Sequence, residues 1–567
     1  MNTLIDKIRE SVIGENCIID TPFGQQPLIY ADYTASGRSL GFIEDYIRQQ
    51  VLPFYANTHT ETSYTGAQTS VFREEARKEI RSAINAREED QVIFCGSGAT
   101  AAINKLIDIL NIRLPYDLDK RYNLQQHIPK NQRPVVFIGP YEHHSNELPW
   151  RESIAELVVI PLTNDGLLDL TVLEAQLKAY NNRPMKIGSF SAASNVTGLK
   201  TDVEAVAQLL HSYDALSFWD YAAAAPYVGI DMTDSKNTLG NSSKDAVFIS
   251  PHKFIGGPGT PGVLVVNQRV INNHVPAVPG GGTVLYVAPE DHRYISNTER
   301  REEGGTPAIV ESIRAGLVFK LQQAIGTQEI ERRETLFVKR ALTRWSAYEN
   351  IEILGNLNAP RLSIISLRIK HNDKDLHYGF VVSLLNDIFG IQARGGCSCA
   401  GPYGHSLLGM DMTYSKALEE QLLEGQMILR PGWVRLNFNY FIDEESFNYI
   451  VRAVELIAQH GSKLLSFYNF DQSSGVWRYQ DIKNTQNASL AALDFNHIDD
   501  HLKPTTGLPS GTDLSDYMAL AEEEIRKNNR DGLQYELILP EAAEKLRWFA
   551  LPQETRALES TNISPVP

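Results

Sequence analysis

The sequence is poor in cysteine and has no long apolar run, and both shortages narrow what the protein can be. Only four of its 567 residues are cysteine, which is too few for a disulfide framework at this length and indicates a reducing compartment. No apolar run approaches membrane-spanning length, and the charged N-terminal segment lacks the apolar core of a signal peptide. We therefore expect a cytoplasmic protein that does not enter a membrane.

Basic residues are also in deficit. The chain has 53 Lys and Arg against 69 Asp and Glu, which gives a net charge of -16, so the whole protein repels a phosphate backbone and nucleic-acid binding is not expected. Hydrophobic residues make up 43% and charged residues 22%, a globular balance that is too apolar for a disordered chain. At roughly 100 to 200 residues per domain, this length predicts more than one domain.

Residues 27–295 predict the larger domain. Short runs such as VVFIGP (135–140) and DAVFIS (245–250) alternate with helical stretches and are apolar at nearly every position. Such runs are typical of parallel strands that are buried on both faces and joined by crossover helices. The predicted fold is α/β with a mostly parallel central sheet.

Outside this region the pattern changes. Residues 296–465 predict a smaller α+β domain, which begins with one long helix over 308–348 and against which a helix within residues 1–26 would pack. Residues 466–567 are polar and acidic, and they predict a partly ordered C-terminal extension with one convincing helix at 514–527. Two main domains with a flanking segment at each end are therefore expected.

Lys253 gives the strongest local signal for chemistry. It lies in SPHKFIGGPGTPGVLVV (250–266), after one predicted strand and before a glycine-rich turn that enters the next strand. A lysine in this position can form a Schiff base with a carbonyl, and pyridoxal 5'-phosphate (PLP) is the commonest such carbonyl in α/β enzymes of this size. The alternative is an ordinary surface lysine at a strand end.

Two further motifs match what PLP requires. In FCGSGATAAINKL (94–106), the backbone amides of Gly98, Ala99 and Thr100 can hold a phosphate at a helix N-terminus, although a plain capped turn or a dinucleotide loop has the same pattern. Asp220 ends the apolar strand ALSFWD and can keep a pyridine nitrogen protonated. Its alternative role is a helix N-cap.

A pair of histidines follows the strand VVFIGP. In YEHHSNELPW (141–150), either His143 or His144 is expected to stack on the open face of the PLP ring. The alternative is a metal site formed with Cys397 and Cys399. We expect no metal, because the pairs HH and CSC lack the spacing of structural zinc sites.

Six motifs occur together in a familiar order: GATAAIN, EHHSN, SNVTG, DYAAAAP, SPHK and ARGGCSCAGP. This succession resembles the class V aminotransferase family, and most closely its cysteine desulfurase and selenocysteine lyase branch. The resemblance covers roughly residues 27–460. It implies PLP-dependent transferase fold type I, with a large PLP domain, a small domain, and a homodimer whose active sites lie at the subunit interface.

The resemblance also implies a role for individual residues. Lys253 would carry PLP, His143 would stack on its ring, and Asp220 would pair with its pyridine nitrogen. Asn195 would lie near the phenolic oxygen and the substrate. The phosphate would be held by the residues of the SGAT turn and by others after later strands, namely Ala99, Thr100, Ser250 and His252, together with Thr306 from the neighbouring subunit.

Two arginines and one cysteine would act on the substrate. Arg435, in GWVRLNFNYF, matches the arginine that grips the substrate carboxylate, and a bidentate guanidinium suits that anion. Within ARGGCSCAG, the resemblance makes Cys399 the sulfur-accepting cysteine and Arg394 its partner in the loop. Cys397 stands where many relatives carry histidine.

The implied activity is removal of sulfur from L-cysteine, which leaves alanine and a persulfide on Cys399 for a sulfur-acceptor protein. One residue departs from the branch: Ala223, the third residue after Asp220, stands where Gln or His usually donates to the phenolic oxygen. This departure leaves other class V reactions open, namely those of a β-lyase, an epimerase or a selenocysteine lyase. A non-catalytic scaffold that binds metal through its cysteines is a further alternative.

Overall fold

A seven-stranded sheet forms the centre of the computed structural model. Its strands are β1 (Asp90–Cys95), β2 (Val135–Ile138), β3 (Glu156–Val159), β4 (Lys186–Ser191), β5 (Leu216–Asp220), β6 (Ala246–Ile249) and β7 (Gly262–Asn267). They lie in the order β1-β7-β6-β5-β4-β2-β3. β7 is antiparallel to β1 and to β6, and the other neighbours are parallel. The predicted α/β fold with a mostly parallel sheet is confirmed.

The structure describes most of the chain. The described residues are 3–15, 17–58, 60, 62–234, 240–480, 489–502, 507, 513–527 and 534–555. Among them, no helix is both long enough and apolar enough to cross a membrane.

Both faces of the central sheet are covered. Val135 and Phe137 of β2 join the apolar cluster on one face, while Val136 and Ile138 join the cluster on the other. This alternation with all four side chains buried explains why the strand is apolar at every position. The helices between the strands are Gly98–Ile109, Tyr116–Tyr122, Leu148–Arg151, Leu170–Ala179 and Val203–Ser212.

Two long helices replace the single helix predicted over 308–348. They span Ile309–Ile325 and Thr327–Trp345. Between them Gly326 has a φ of +87°, a backbone conformation that favours glycine and that an α-helix does not contain. The first of them packs closely on helix Tyr64–Ala83, since a Cβ atom on Gly316 would lie 2.5 Å from the Cβ atom of Ala76.

The smaller unit contains a five-stranded antiparallel sheet. Its strands are Ile351–Ile353, Ile365–His371, Lys374–Leu376, Arg394–Gly396 and Trp433–Leu436. The accompanying helices are Tyr378–Phe389, Gly401–Leu408, Met412–Leu423 and Glu444–His460. Strand Ile391–Gln392 pairs in parallel with Ile29–Tyr30, which ties the N-terminal region to this unit.

The N-terminal helix, Leu4–Ser11, begins at a capping box formed by Thr3 and Asp6. Its Ile5 and Ile8 are buried in the apolar cluster on one face of the central sheet. Arg9 donates to the carbonyl of Phe441 at 2.6 Å. The helix therefore contacts the apolar cluster on one face of the central sheet and the segment that follows the last strand of the small domain.

The C-terminal extension packs on the small domain. Strands Tyr468–Asp471 and Val476–Tyr479 pair with each other, and helix Leu514–Arg526 lies within the predicted 514–527. Trp477 and Phe549 are buried in the same apolar cluster as the small-domain helices. Other parts of the predicted extension, residues 481–488, 503–506, 508–512, 528–533 and 556–567, lie outside the described residues. The predicted domain limits after residues 26, 295 and 465 stay predictions.

Candidate active site

A cavity of about 1120 Å³ opens at the carboxyl ends of the parallel strands, where α/β sheets bind ligands. The residues to which the resemblance assigns a role line this one cavity, although Thr306 was expected to serve the site of the neighbouring subunit and here lines the cavity of its own chain. These residues are Ala99, Thr100, His143, Asn195, Asp220, Ser250, His252, Lys253, Thr306, Arg394, Cys399 and Arg435. The fold thus brings together motifs that are far apart in the chain.

Asp220 is the last residue of β5, where it pairs with Ser191 of β4 and Phe248 of β6. Its side chain is only 5% exposed, and its Oδ1 accepts a hydrogen bond from the amide of Ala222 at 2.8 Å. Burial raises the pKa of the carboxyl group, while the Ala222 amide and the positive charge of Lys253 oppose that rise. An acid in this environment is stabilised as an anion by a cationic partner in the cavity.

Lys253 follows β6 in the short turn Pro251–Lys253. Burial lowers the pKa of its amino group to about 8, and the nearby guanidinium of Arg435 adds to this lowering, whereas Asp220 opposes it. A lysine near this value has a substantial neutral fraction close to physiological pH. It can therefore act as a nucleophile toward a carbonyl or as a base.

The turn between β1 and helix Gly98–Ile109 is shaped by close backbone packing. Gly98 has a φ of +57°, and a Cβ atom there would lie 2.9 Å from the hydroxyl of Ser250. The amide of Ala99 donates to that same hydroxyl at 2.8 Å. Small residues are needed at this turn, and the helix that follows directs its positive N-terminal end toward the cavity.

His143 is held by Ser145. The Nδ1 atom of His143 accepts from the backbone amide of Ser145 at 3.1 Å, and the Ser145 hydroxyl lies 2.6 Å from that of Thr100. Burial, reinforced by the charge of Lys253, lowers the pKa of His143 to about 4. The ring is therefore neutral with its proton on Nε2. His143 lines the cavity and His144 does not, which separates the two predicted stacking candidates.

Two arginines converge on Asp32, which the sequence prediction missed. Arg435 is 4% exposed, and its NH2 group lies 3.1 Å from Oδ1 of Asp32. The Nε atom of Arg394 lies 3.1 Å from the other carboxylate oxygen. Asp32 follows strand Ile29–Tyr30, and the pairing of that strand with Ile391–Gln392 brings it beside Arg394. No local motif marks this long-range contact.

Two polar atoms in this part of the cavity have no hydrogen-bond partner among the described residues. They are Nε of Arg435 and Oδ1 of Asn195. Buried polar groups are usually paired, so these atoms are suited to a polar ligand. An unpaired guanidinium N–H group fits a carboxylate, and the amide oxygen fits an amino or hydroxyl donor.

The two loop cysteines have different surroundings. Cys399 is exposed and lines the cavity, whereas Cys397 is partly buried and packs against the apolar cluster that contains Tyr141, Tyr403 and Trp433. All four cysteines are free thiols. Within the described residues, no group of His, Cys, Asp and Glu side chains could hold a metal ion.

Ala223 lines the same cavity and is buried. Its methyl group offers no hydrogen bond, so the departure noted in the sequence leaves no side-chain donor at this position. Ser145 is a second residue that the prediction missed, and its place two residues after His143, within the EHHSN motif, was the signal that could have found it.

A comparison with known protein families identifies the family of this chain. The model of the class-V aminotransferases matches residues 29–416. The chain belongs to the class-V aminotransferase family. Enzymes of this family depend on PLP, so the chain belongs to a class of PLP-dependent enzymes, as predicted.

Individual relatives agree with the branch suggested by the motifs. A probable cysteine desulfurase of Halalkalibacterium halodurans is 28% identical over 393 residues, which cover 68% of this chain and 87% of the relative. A probable cysteine desulfurase of Staphylococcus aureus is 27% identical over 399 residues, covering 69% and 87% respectively.

Solved structures show the same fold. The apo cysteine desulfurase of Thermococcus onnurineus superposes with a TM-score of 0.64 at 22% identity, covering 81% of this chain and 99% of the other. The cysteine desulfurase CsdA of Escherichia coli gives a TM-score of 0.60 at 18% identity, covering 80% and 98%. The predicted PLP fold type I is confirmed.

The cavity of this chain fits PLP. The turn at Gly98 can present a helix N-terminus and hydroxyl groups to a phosphate, and the buried acid Asp220 could pair with a protonated pyridine nitrogen. Lys253, with its lowered pKa of about 8, could supply the amine. His143 could supply a flat neutral ring.

Proposed function

We propose that this protein is a cysteine desulfurase, which takes sulfur from L-cysteine, leaves alanine and carries the sulfur as a persulfide on Cys399. The observation that carries this proposal is the presence of Cys399 and Lys253 in one cavity with Asp220 and Arg435. The desulfurase names of the relatives support it. The cofactor is PLP, which when bound supplies the electron sink for a carbanion at the substrate Cα atom.

Arg435 binds and orients the substrate. Its guanidinium lines the cavity, is held by Asp32 and by a bond from NH1 to the carbonyl of Asn195 at 3.1 Å, and has a buried Nε group without a hydrogen-bond partner. A fixed guanidinium places the amino acid with its Cα toward Lys253. Such positioning is a large part of what an active site contributes to rate.

Lys253 and Asp220 handle protons. The Lys253 amine, with its pKa of about 8, accepts a proton from the substrate Cα atom and returns it. Asp220 would hold a proton on the pyridine nitrogen of bound PLP, because burial raises the pKa of its carboxyl group and the positive charge of Lys253 only opposes that rise, so a cationic partner favours the carboxylate. His143, which lines the cavity, would stack on the cofactor ring and exclude water from that face.

Cys399 takes the sulfur. Its thiolate attacks the sulfur atom of L-cysteine, an S–S bond forms as the C–S bond breaks, and the bonding pair goes to the substrate Cβ atom, which is then protonated. Atoms balance as one persulfide and one alanine. A thiol reductant or a sulfur-acceptor protein removes the sulfur before the next cycle.

We also propose a homodimer. Thr306 lines the cavity, and the adjoining segment exposes Val278, Leu285, Tyr286 and Val287. These segments are in contact, since a Cβ atom on Gly304 would lie 2.5 Å from the carbonyl of Val278. A second copy would cover these apolar side chains, and light scattering of the purified protein tests this assembly. The cytoplasmic location stays a prediction.

The decisive experiment follows the products of L-cysteine. Purified protein reconstituted with PLP is incubated with L-cysteine, and alanine, pyruvate and sulfide are measured with and without a thiol reductant. Alanine in amounts equal to the sulfur released supports desulfuration. Pyruvate with sulfide would instead identify a β-lyase, the alternative that the missing donor at Ala223 favours.

A further inference from the structure

The loop that carries Cys399 has an unusual backbone. It joins strand Arg394–Gly396 to helix Gly401–Leu408, and its consecutive residues Ser398 and Cys399 have φ values of +54° and +55°. Left-handed conformations are unfavourable for residues with a Cβ atom and persist only where the surroundings hold them. Some contact must therefore fix this turn.

His144 makes the contacts that bracket Cys399. Its backbone amide donates to the carbonyl of Cys399 at 2.8 Å, and its Nε2 atom accepts from the amide of Gly401 at 2.9 Å. The acceptor role requires that Nε2 carry no proton. His144 is thus in the opposite tautomer to its neighbour His143, whose Nδ1 atom is the acceptor.

A second element holds the same loop from the other side. The side-chain amide of Asn195 donates to the carbonyl of Ser398 at 2.7 Å. Hydrogen bonds therefore fix three backbone groups of the loop to the turns that follow β2 and β4. These groups are the carbonyls of Ser398 and Cys399 and the amide of Gly401. His144 supplies two of these three bonds without lining the cavity.

We propose that His144 is the positioning residue of the sulfur-accepting loop: it fixes the left-handed turn so that the Cys399 thiol is presented to the substrate sulfur. This inference rests on the proposed function, since it assigns His144 to persulfide formation. His144 touches neither the cavity nor Cys399's thiol, so it acts through the loop backbone. Steps that need only PLP, Lys253 and Asp220 do not depend on it.

The test removes the acceptor while keeping the ring. In the full-length enzyme reconstituted with PLP, His144→Phe retains an aromatic ring but cannot accept from Gly401, whereas His144→Gln retains an acceptor oxygen. His127→Phe, at an exposed histidine of a short turn, is the matched control. Hydrogen exchange of the loop amides and single-turnover persulfide formation on Cys399 are measured for each.

A lost hydrogen bond should speed exchange of the Gly401 amide and slow persulfide formation by about three- to tenfold in His144→Phe. The absorption change of the cofactor on addition of L-cysteine should keep its parental rate. His144→Gln should recover part of both effects, and His127→Phe should match the parent. If the phenylalanine variant does not fold, the glutamine variant and an asparagine variant, whose shorter side chain cannot reach Gly401, make the same comparison.

The outcomes separate this proposal from the proposed function. Parental loop exchange and parental persulfide formation in His144→Phe would overturn the role of His144. Slower persulfide formation with a parallel loss of the cofactor's response to cysteine would also overturn it, because the effect would then not be confined to the loop. Faster loop exchange in a protein whose parent forms no persulfide would refute the desulfurase function while leaving the contact itself established.

Discussion

Asp32 accepts a hydrogen bond at 3.1 Å from the guanidinium of Arg435, which is almost fully buried. The pair is 403 residues apart in the chain. Its geometry leaves the buried Nε group of Arg435 without a hydrogen-bond partner, so Asp32 holds the arginine in place without pairing every N–H group of the guanidinium. The negative charge of Asp32 also offsets the cost of burying the Arg435 guanidinium away from water.

We expect Asp32→Asn to destabilise the protein by about 3 kcal/mol or more, because a buried charge loses its partner. Thermal unfolding monitored by circular dichroism measures the loss. Asp45→Asn is the control, since Asp45 pairs with Arg48 on the exposed surface and such pairs contribute less than about 1 kcal/mol. Equal effects of the two substitutions would contradict the role assigned to Asp32.

Lys253 should be the lysine that links to PLP, and the linkage should depend on pH. With a pKa of about 8, its neutral fraction rises about tenfold between pH 7 and pH 9 and then levels off. The neutral fraction of an ordinary lysine would still increase in proportion to the hydroxide concentration over this range. The rate at which apo-protein acquires bound PLP absorbance should follow this curve. A profile without a plateau by pH 9.5 would contradict the lowered pKa.

Borohydride reduction and peptide mapping locate the linkage itself. The modified peptide should contain Lys253, and Lys253→Ala should take up no reducible PLP and lose turnover. Lys105 lines the same cavity, with its amino group 2.6 Å from the carbonyl of Glu302, so Lys105→Ala is the matched control that should retain the label. A label on Lys105 would remove the basis of the proposed site.

Much of this site could be predicted because its residues end buried strands. Asp220 and Lys253 stand beside apolar runs that are recognisable in the sequence, and parallel strands bring their carboxyl ends to one edge. Asp32 could not be found in this way, since its role depends on pairing between strands far apart in the chain. The different roles of His143 and His144 depend on tertiary contacts that adjacent positions do not encode.

The same limit applies to the fold. The sheet follows from strands that are apolar on both faces, but the helix predicted over 308–348 is interrupted at Gly326, where a single glycine with positive φ outweighs the helical pattern around it. The polar composition of residues 466–567 concealed Trp477 and Phe549, which are buried against the small domain. A few apolar side chains are enough to hold a segment against the small domain even when the average composition of that segment is polar.

Trp548 joins the C-terminal extension to the small domain. Its ring stacks on Tyr378 with centroids 6.0 Å apart and on His377 at 5.2 Å, and its Nε1 donates to the carbonyl of Leu429 at 3.0 Å. Tyr378 in turn packs on the strand that leads to Cys399, since a Cβ atom on Gly395 would lie 2.6 Å from its ring. The extension therefore supports the base of the cysteine loop.

We expect Trp548→Ala to lower the free energy of unfolding by about 2 kcal/mol, because a half-buried ring is removed from a packed aromatic cluster. Denaturant unfolding measures the change. Phe495→Ala is the control within the same extension, since Phe495 is 79% exposed and its removal should change stability by less than about 0.5 kcal/mol. A Trp548 variant as stable as the parent would show that the extension does not brace the domain.

Cys399 and Cys397 offer a comparison two residues apart. Cys399 lines the cavity, whereas Cys397 packs with Tyr141 and Trp433 in an apolar cluster, so only Cys399 can reach a substrate beside Lys253. Cys399→Ala should therefore lower sulfur release from L-cysteine by about a thousandfold, since it removes the nucleophile. Cys397→Ala should keep the persulfide on Cys399, which mass spectrometry of the intact tryptic peptide detects.

The double variant completes the comparison, because it should behave like Cys399→Ala if Cys397 takes no part in sulfur transfer. A persulfide found on Cys397 in the parent enzyme, or its loss from Cys399 in Cys397→Ala, would mean that the loop changes conformation during the reaction and exposes the partly buried thiol of Cys397. Sulfur release by Cys399→Ala at the parental rate, with no persulfide on the parent, would mean that the chemistry needs no protein thiol. In that case the missing donor at Ala223 would mark the site of a β-lyase or an epimerase.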